Sequence, residues 1–374
     1  MKKEMTALEI KFLIPELKNL IGGFIQKIYQ EEKNVRIQIY ITDKGLFELF
    51  YEPNKIFITE YKRKSSEHPD AFGMALRKYL IGQKIIDIKQ HGFDRIIEIK
   101  TEKNILIFEL FSKGNVILCD ENKNVILPLE VQIWKDRQIV PKKPYVYPPP
   151  VIDPFSLSFE EFKKIVFSNE KSIVRFLASD MSLSSVYAEE VCIRSKIDKN
   201  MICKNMNESD ILKVYNSIQS LLKDFSPRII KKDNEYIDVI PIKLNYYDDY
   251  ESIEFNTLTT ALDEFFTEQS IKIKEKEAEK IKEDISKKIE IKISEQISAL
   301  EKYKKFEMEA KLAGELIYKN FELIQNIING IQNARKNNIS WKEIKERIKT
   351  EDTPEAKAIK EIRENDGIVV VEVD

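Results

Sequence analysis

Asp94 and Arg95 sit side by side in His91-Gly92-Phe93-Asp94-Arg95, just ahead of an isoleucine-rich stretch. A guanidinium at the start of a strand can fork onto a phosphate. A neighbouring carboxylate can hold it, or contact a ribose or an amino group. The same two residues could equally form a local ion pair that ties a loop to a sheet. Two further basic groups invite the same question. Arg77-Lys78 lies in a helical stretch, Met74–Gly82, where adjacent side chains point about 100° apart, so at most one faces a groove and the other is solvated. Lys62-Arg63-Lys64 forms a basic loop that could touch backbone phosphates or simply link two elements.

Other chemistry is missing from the sequence. The two histidines, His68 and His91, stand at no metal-ligand spacing, and no glycine lies between Gly114 and Gly314. There is no phosphate-cradling glycine loop and no nucleophile elbow. Acidic pairs such as Asp248-Asp249 and Glu189-Glu190 are what a chain with 33% charged residues produces on its surface. The three cysteines, Cys119, Cys192 and Cys203, form no CxxC pair, so disulfides and zinc knuckles are not expected. The expectation is a binding or scaffold protein with no catalytic residues, no metal and no cofactor.

The elements that must position these residues follow from an internal repeat. Leu17–Gln30 and Arg77–Gln90 match at an offset of 60, pairing Leu20 with Leu80, Ile21 with Ile81, Gly22 with Gly82, Ile25 with Ile85, Ile28 with Ile88 and Gln30 with Gln90. Phe47-Glu48-Leu49-Phe50 recurs one residue out of step as Phe108-Glu109-Leu110-Phe111. Each copy reads as helix, glycine turn, then several strands, so the fold class is α+β with a duplicated, two-lobed N-terminal domain over 1–150, its repeats at about 6–61 and 70–127. Only the second copy carries the Asp-Arg pair.

Residues 141–154 hold six of the thirteen prolines, an extended composition that marks a boundary. Residues 155–225 read as helical, with an N-terminal cap at Ser158 and a helical hairpin around Leu183-Ser184-Ser185. Residues 226–257 are strand-like and are expected to rejoin or pack near the N-terminal sheet. From Leu258 to about 311, isoleucines step by threes and fours through a Lys/Glu background, which predicts one long helix with a narrow apolar stripe. That stripe needs a partner. Residues 312–374 read as a small helical unit, including a helix over Pro354–Glu364, that ends in a strand, Ile368–Val373.

Net charge is −2, but residues 1–150 hold 25 Lys and Arg against 20 Asp and Glu, so the duplicated region is the basic one. A polyanion would dock there, although an ordinary solvated surface would look similar. No apolar run approaches the ~20 residues of a membrane span. The start, Met1–Ile10, does not read as a signal peptide, so the expected location is cytoplasmic.

Taken in order, several segments resemble one family. They are Met5–Ile10, Gln26–Gln30, Leu76–Gly82, Gly92–Ile96, Phe108–Leu118 and Tyr187–Glu190. The chain resembles NFACT proteins, the NEMF/RqcH group of ribosome-associated quality-control factors, also described as fibronectin-binding-protein-A-like. The resemblance implies N-terminal lobes similar to those of formamidopyrimidine-type DNA glycosylases. A helix–hairpin–helix domain (155–225), a coiled-coil helix (258–311) and a middle domain (312–374) would follow. A returning coil and an RNA-binding NFACT-R domain would lie beyond this chain.

It also implies binding to an obstructed large ribosomal subunit with peptidyl-tRNA, and recruitment of aminoacyl-tRNA, typically tRNA(Ala), for mRNA-independent C-terminal tailing. The ribosome would make the bonds, so the factor is not an enzyme. The family's Asp-Arg signature falls on Asp94-Arg95. Its N-terminal acid falls on Glu9, one methylene longer than the Asp usual there. The implied tRNA contacts are Asp94, Arg95, Glu9, Arg77 and Lys78, with Lys62, Arg63 and Lys64 on RNA backbone. The Leu-Gly-Gly of the hairpin is Leu183-Ser184-Ser185 here. A homodimer through the unpaired helix is expected. The alternatives are a glycosylase-like repair protein, which would need an N-terminal proline absent here, and a matrix-binding adhesin.

Overall fold

The computed structural model describes residues 2–62, 70–364 and 366–373. They form two compact units, Met1–Lys274 and Glu275–Asp374.

The first unit opens with α1 (Ala7–Leu17), whose start is fixed by a capping box: Thr6 Oγ1 accepts from the Glu9 amide and Glu9 Oε2 from the Thr6 amide. The helix tightens into a 3-10 turn at Lys18–Leu20 and stops just before the glycine turn. An antiparallel meander follows: β1 (Phe24–Glu31), β2 (Asn34–Ile41), β3 (Gly45–Glu52) and β4 (Lys55–Ile58). The second copy repeats the plan with α2 (Ala71–Leu80), β5 (Ile85–Gln90), β6 (Ile96–Thr101), β7 (Asn104–Glu109), β8 (Asn115–Asp120) and β9 (Val125–Pro128).

The copies meet about a local pseudo-two-fold axis. The Gly22 amide donates to the Ile85 carbonyl (2.9 Å) and the Gly82 amide to the Ile25 carbonyl (2.8 Å). The Ile85 amide donates to Gly23 (2.9 Å) and the Ile25 amide to Gln83 (3.0 Å). A shift of 60 exchanges the members of each pair. Gly22 and Gly82 both have positive φ, +89° and +83°, which explains why this turn keeps glycine in both copies. A ladder irregularity after Ile25 in β1 recurs after Ile85 in β5. The second sequence match is not a structural one. Ile37 pairs with Leu49, whereas its counterpart Ile99 pairs with Leu106, so Phe47–Phe50 lies inside β3 while Phe108–Phe111 runs off the end of β7.

Beyond β9 the chain pairs briefly as β10 (Gln132–Ile133) with β11 (Gln138–Ile139) and then crosses the outer face of the second sheet as a strap. Ile139 and Tyr145 are buried there against Ile96, Ile107, Ile117 and Cys119. The helices α3 (Phe159–Phe167), α4 (Ile173–Arg175), α5 (Ser184–Ser195) and α6 (Glu208–Ser220) build a second core with Phe162, Phe176, Tyr187 and Val191. α3 carries the Ser158 cap that the sequence predicts, completed by Glu161.

Residues 226–257 do not rejoin the N-terminal sheet. They form their own, with β12 (Phe225–Lys232) between β13 (Glu235–Ile242) and β14 (Glu251–Glu254). Its alternation serves both cores: Ile229 and Val239 face the lobes, Ile230 and Ile240 the helices. The helix α7 runs over Leu258–Lys319, further than the sequence pattern predicts. Its first amides, Leu258 and Thr259, each donate at 2.7 Å to the carboxylate of Glu16 on α1, and Leu262, Phe265 and Phe266 pack into the lobe core.

In the second unit, Ile285, Ile289, Ile293, Ile297 and Leu300 of α7 are exposed. α8 (Phe321–Lys336), α9 (Trp341–Thr350) and α10 (Pro354–Ala358) follow. The helix expected over Pro354–Glu364 stops at Ala358. Residues Ile359–Arg363 instead form β15, paired antiparallel with β16 (Ile368–Val371), because the β-branched run Ile368–Val371 offers a ladder that satisfies both backbones.

Candidate functional site

The Asp94-Arg95 pair exists in one copy because the second connection is longer. In the first copy Gln30 pairs with Val35, and in the second Gln90 pairs with Ile97, which leaves two more residues between the closing positions. The longer turn is folded by its own backbone. The His91 amide donates to Ile96, the Asp94 amide to His91, and Gly92 takes φ +55°. Phe93 is buried in the helical core against Phe155 and anchors the turn. Gln90 Nε2 donates to the carbonyls of Asp94 and Ala7, both at 2.9 Å, which locks the turn to the start of α1. Asp94 Oδ1 accepts from the Arg95 amide at 2.7 Å. The pair is therefore not a self-contained ion pair: Arg95 Nη1 reaches Glu4 Oε2 at 2.9 Å, with both side chains partly in solvent.

These residues form one wall of a cleft of about 310 Å³. The opposite wall is helical and carries Ser179, Ser182 and Ser184; Val151 of the proline-rich strap closes one side. The chain there makes a wide π-type turn over Phe176–Asp180, then enters α5 with no side-chain cap on its first amides. Ser182 and Ser184 have φ of +53° and +67°, a conformation that favours glycine. At Ser184, the first residue of α5, a serine thus holds a left-handed backbone. An uncapped helix N-terminus and a guanidinium lining one cleft suit an anion, while the Ser179 hydroxyl is already engaged by the Arg175 carbonyl. Among the described residues, no histidine, cysteine or lysine lines the cleft.

Glu9 is placed elsewhere. It is 1% exposed, and its Oε1 accepts from Lys2 Nζ at 2.6 Å and from the Tyr187 hydroxyl at 2.8 Å while Oε2 caps α1. Lys2 Nζ also reaches Asp238 Oδ1 at 2.9 Å and the Val239 carbonyl at 2.7 Å, and the Tyr247 hydroxyl donates to Asp238 Oδ2. Burial works to lower the Lys2 pKa, but Asp238 and Glu9 outweigh it and leave it raised. Burial, then Glu9, holds the Tyr187 phenol well above its ordinary value. Both Glu9 carboxylate oxygens are thus taken within the chain, and the residue joins α1, α5 and β13 behind the cleft. The Thr6-Ala7-Leu8-Glu9 spacing is a capping-box signature that could have shown this. Nothing in the sequence pattern pointed to Lys2 or to Glu4.

Arg77 is half-buried and donates from Nε to the Ile28 carbonyl at 2.8 Å, pinning α2 to β1. Lys78 is exposed, with Nζ 5.4 Å from the Tyr79 ring. Neither lines the cleft. Lys62 is exposed; Arg63 and Lys64 lie outside the described residues. The three cysteines are buried and free, and burial pushes Cys119 up to about 12. Among the described residues no cluster of His, Cys, Asp or Glu could hold a metal ion, and no helix is long and apolar enough to cross a membrane.

A family model for NFACT N-terminal and middle domains matches residues 6–360. The chain belongs to the NFACT family. Among relatives, it is 33% identical to the archaeal Rqc2 homolog aRqcH of Methanocaldococcus jannaschii, over 99% of this chain and 58% of that protein. It is 25% identical to the human ribosome quality control complex subunit NEMF, over 97% of this chain and 37% of that protein. The chain thus spans less than two thirds of either relative. Among solved structures, the fibrinogen binding protein from Staphylococcus aureus covers 70% of this NFACT chain, and 98% of its own length, at a TM-score of 0.59 and 23% identity, which shows a shared fold.

Proposed function

We propose that this NFACT chain is the tRNA- and ribosome-gripping part of a ribosome quality-control factor. In this reading it binds the obstructed large subunit and recruits aminoacyl-tRNA, tRNA(Ala) in particular, for C-terminal tailing. The ribosome forms the peptide bonds, while this chain binds and positions. The observation that carries the proposal is the cleft, where Arg95 on the lengthened turn faces the open amino end of α5. Arg95 takes a phosphate, and Asp94 fixes the backbone from which Arg95 projects. Lys78, exposed on α2, supplies a second phosphate contact, and Lys62, Arg63 and Lys64 lie along the RNA backbone. Arg77 and Glu9 act through the lobe and the network that they brace. A homodimer through the exposed α7 stripe belongs to the same proposal and is tested by the chain's mass in solution.

The test is the affinity for tRNA of the wild type against Asp94→Ala/Arg95→Ala at two salt concentrations. Salt-sensitive binding that the double variant loses supports the reading, since phosphate contacts release counterions. Equal binding by both proteins would assign the pair to loop structure.

A further inference from the structure

We propose that the open face of the first lobe's sheet is a second RNA surface, a stacking platform separate from the cleft. Phe24 is the ladder partner of Tyr40, and Tyr40 of Leu46, so the three side chains form one row across β1, β2 and β3. All three are exposed, at 41%, 42% and 55%. The neighbouring positions alternate inward: Ile25 and Ile39 pair with each other and are buried. The row continues across the junction between copies, where Phe24 bridges to Lys84 and the Lys84 ammonium lies 5.9 Å from the Phe24 ring. One step along the sheet, the ladder irregularity returns Lys27 to the same face opposite Gln38. Glu48, the acid beside this row, is taken by Arg36 at 3.0 Å and by Gln38 at 3.1 Å. Lys27 and Lys84 have no ion-pair partner among the described residues.

The duplication sharpens the point. In the second copy the same face of the sheet is covered by the strap, whose Tyr145 and Tyr147 donate to Glu109 and Glu98. Among the described residues, no strap covers the Phe24–Tyr40–Leu46 end of the first copy. Two exposed rings in a row, flanked by unpaired ammonium groups, suit unstacked bases with their phosphates alongside. A protein partner would instead favour a ring-and-aliphatic surface without free cations on its edge.

The proposal shares only the RNA class with the preceding one. Arg95→Ala tests the cleft, and Phe24→Ala/Tyr40→Ala tests the face, so either can fail alone. The whole chain is titrated with a labelled short single-stranded RNA, and ultraviolet crosslinks are mapped on the protein, with thermal unfolding as a check on folding. The ring variant should lose about 10-fold or more in affinity. Lys27→Gln/Lys84→Gln should lose part of the salt dependence, and crosslinks at Phe24 or Tyr40 should persist in Arg95→Ala. Wild-type affinity of a folded ring variant, with no crosslink at either ring, would overturn the proposal. So would a ring variant that binds naked RNA normally yet loses ribosomal subunits, which would make the face a protein contact.

Discussion

The Tyr187 hydroxyl donates to Glu9 Oε1 at 2.8 Å, and so ties the helical region to the first helix of the lobes through a carboxylate that also holds Lys2. Two walls of the cleft are thereby joined by a buried network whose residues do not line it. Removing its cation leaves Glu9 and Asp238 buried and unpaired. Lys2→Met is expected to lower stability by about 3–5 kcal/mol, and Tyr187→Phe by about 1.5–3 kcal/mol. Urea unfolding checks both.

The same network predicts alkaline sensitivity. Lys2, Tyr187 and Tyr247 all have folded pKa values above their unfolded ones. A raised pKa contributes stability that is fully present below the unfolded value and is lost as pH rises through the folded value. The wild type should therefore hold its stability up to the ordinary tyrosine and lysine range and decline above it. Lys2→Met should show a shallower decline, read as melting temperature against pH.

Glu4 competes for Arg95. The pair is solvent-accessible and weak, so an incoming phosphate displaces it at little cost. Glu4→Gln is expected to tighten tRNA binding by a few-fold, on the order of the 0.2–1 kcal/mol typical of an exposed ion pair. An anisotropy titration measures it. Weaker binding would mean that Glu4 orients the guanidinium.

Ser184 holds a left-handed backbone at φ +67°. Ser184→Gly removes a penalty of roughly 1–2 kcal/mol but adds unfolded-chain entropy, for a net gain of about 1 kcal/mol or less. A small rise in melting temperature is the expected result.

Arg77 and Lys78 should separate cleanly. Arg77→Ala loses the bond to the Ile28 carbonyl and about 1 kcal/mol of stability. Lys78→Ala should leave unfolding unchanged and reduce the salt slope of tRNA binding by about one.

Much of the lobe fold was legible because Gly22 and Gly82 need the same positive φ, and the isoleucines around them bury the same face. The repeat became misleading where the β2–β3 and β6–β7 connections differ in length, so that Phe47–Phe50 and Phe108–Phe111 share letters but not ladder positions. Pro354–Glu364 looked helical because its own Lys/Glu-rich letters suit a helix, and only the hairpin pairing with Ile368–Val371 turns Ile359–Arg363 into a strand. The strap read as a linker because composition cannot show that Tyr145 and Tyr147 reach Glu109 and Glu98. In the site, Asp94 and Arg95 stood out through the asymmetry between copies. Lys2 and Glu4 did not, since their partners Asp238 and Arg95 are distant in the sequence.

Binding of tRNA at the cleft is tested most directly by photo-crosslinking of bound tRNA from a photoreactive residue at Ser179, an exposed position on the helical wall of the cleft. A tRNA adduct that Arg95→Ala abolishes is the expected result. Saturating tRNA binding with no adduct from this position would contradict it and place the tRNA elsewhere on the chain.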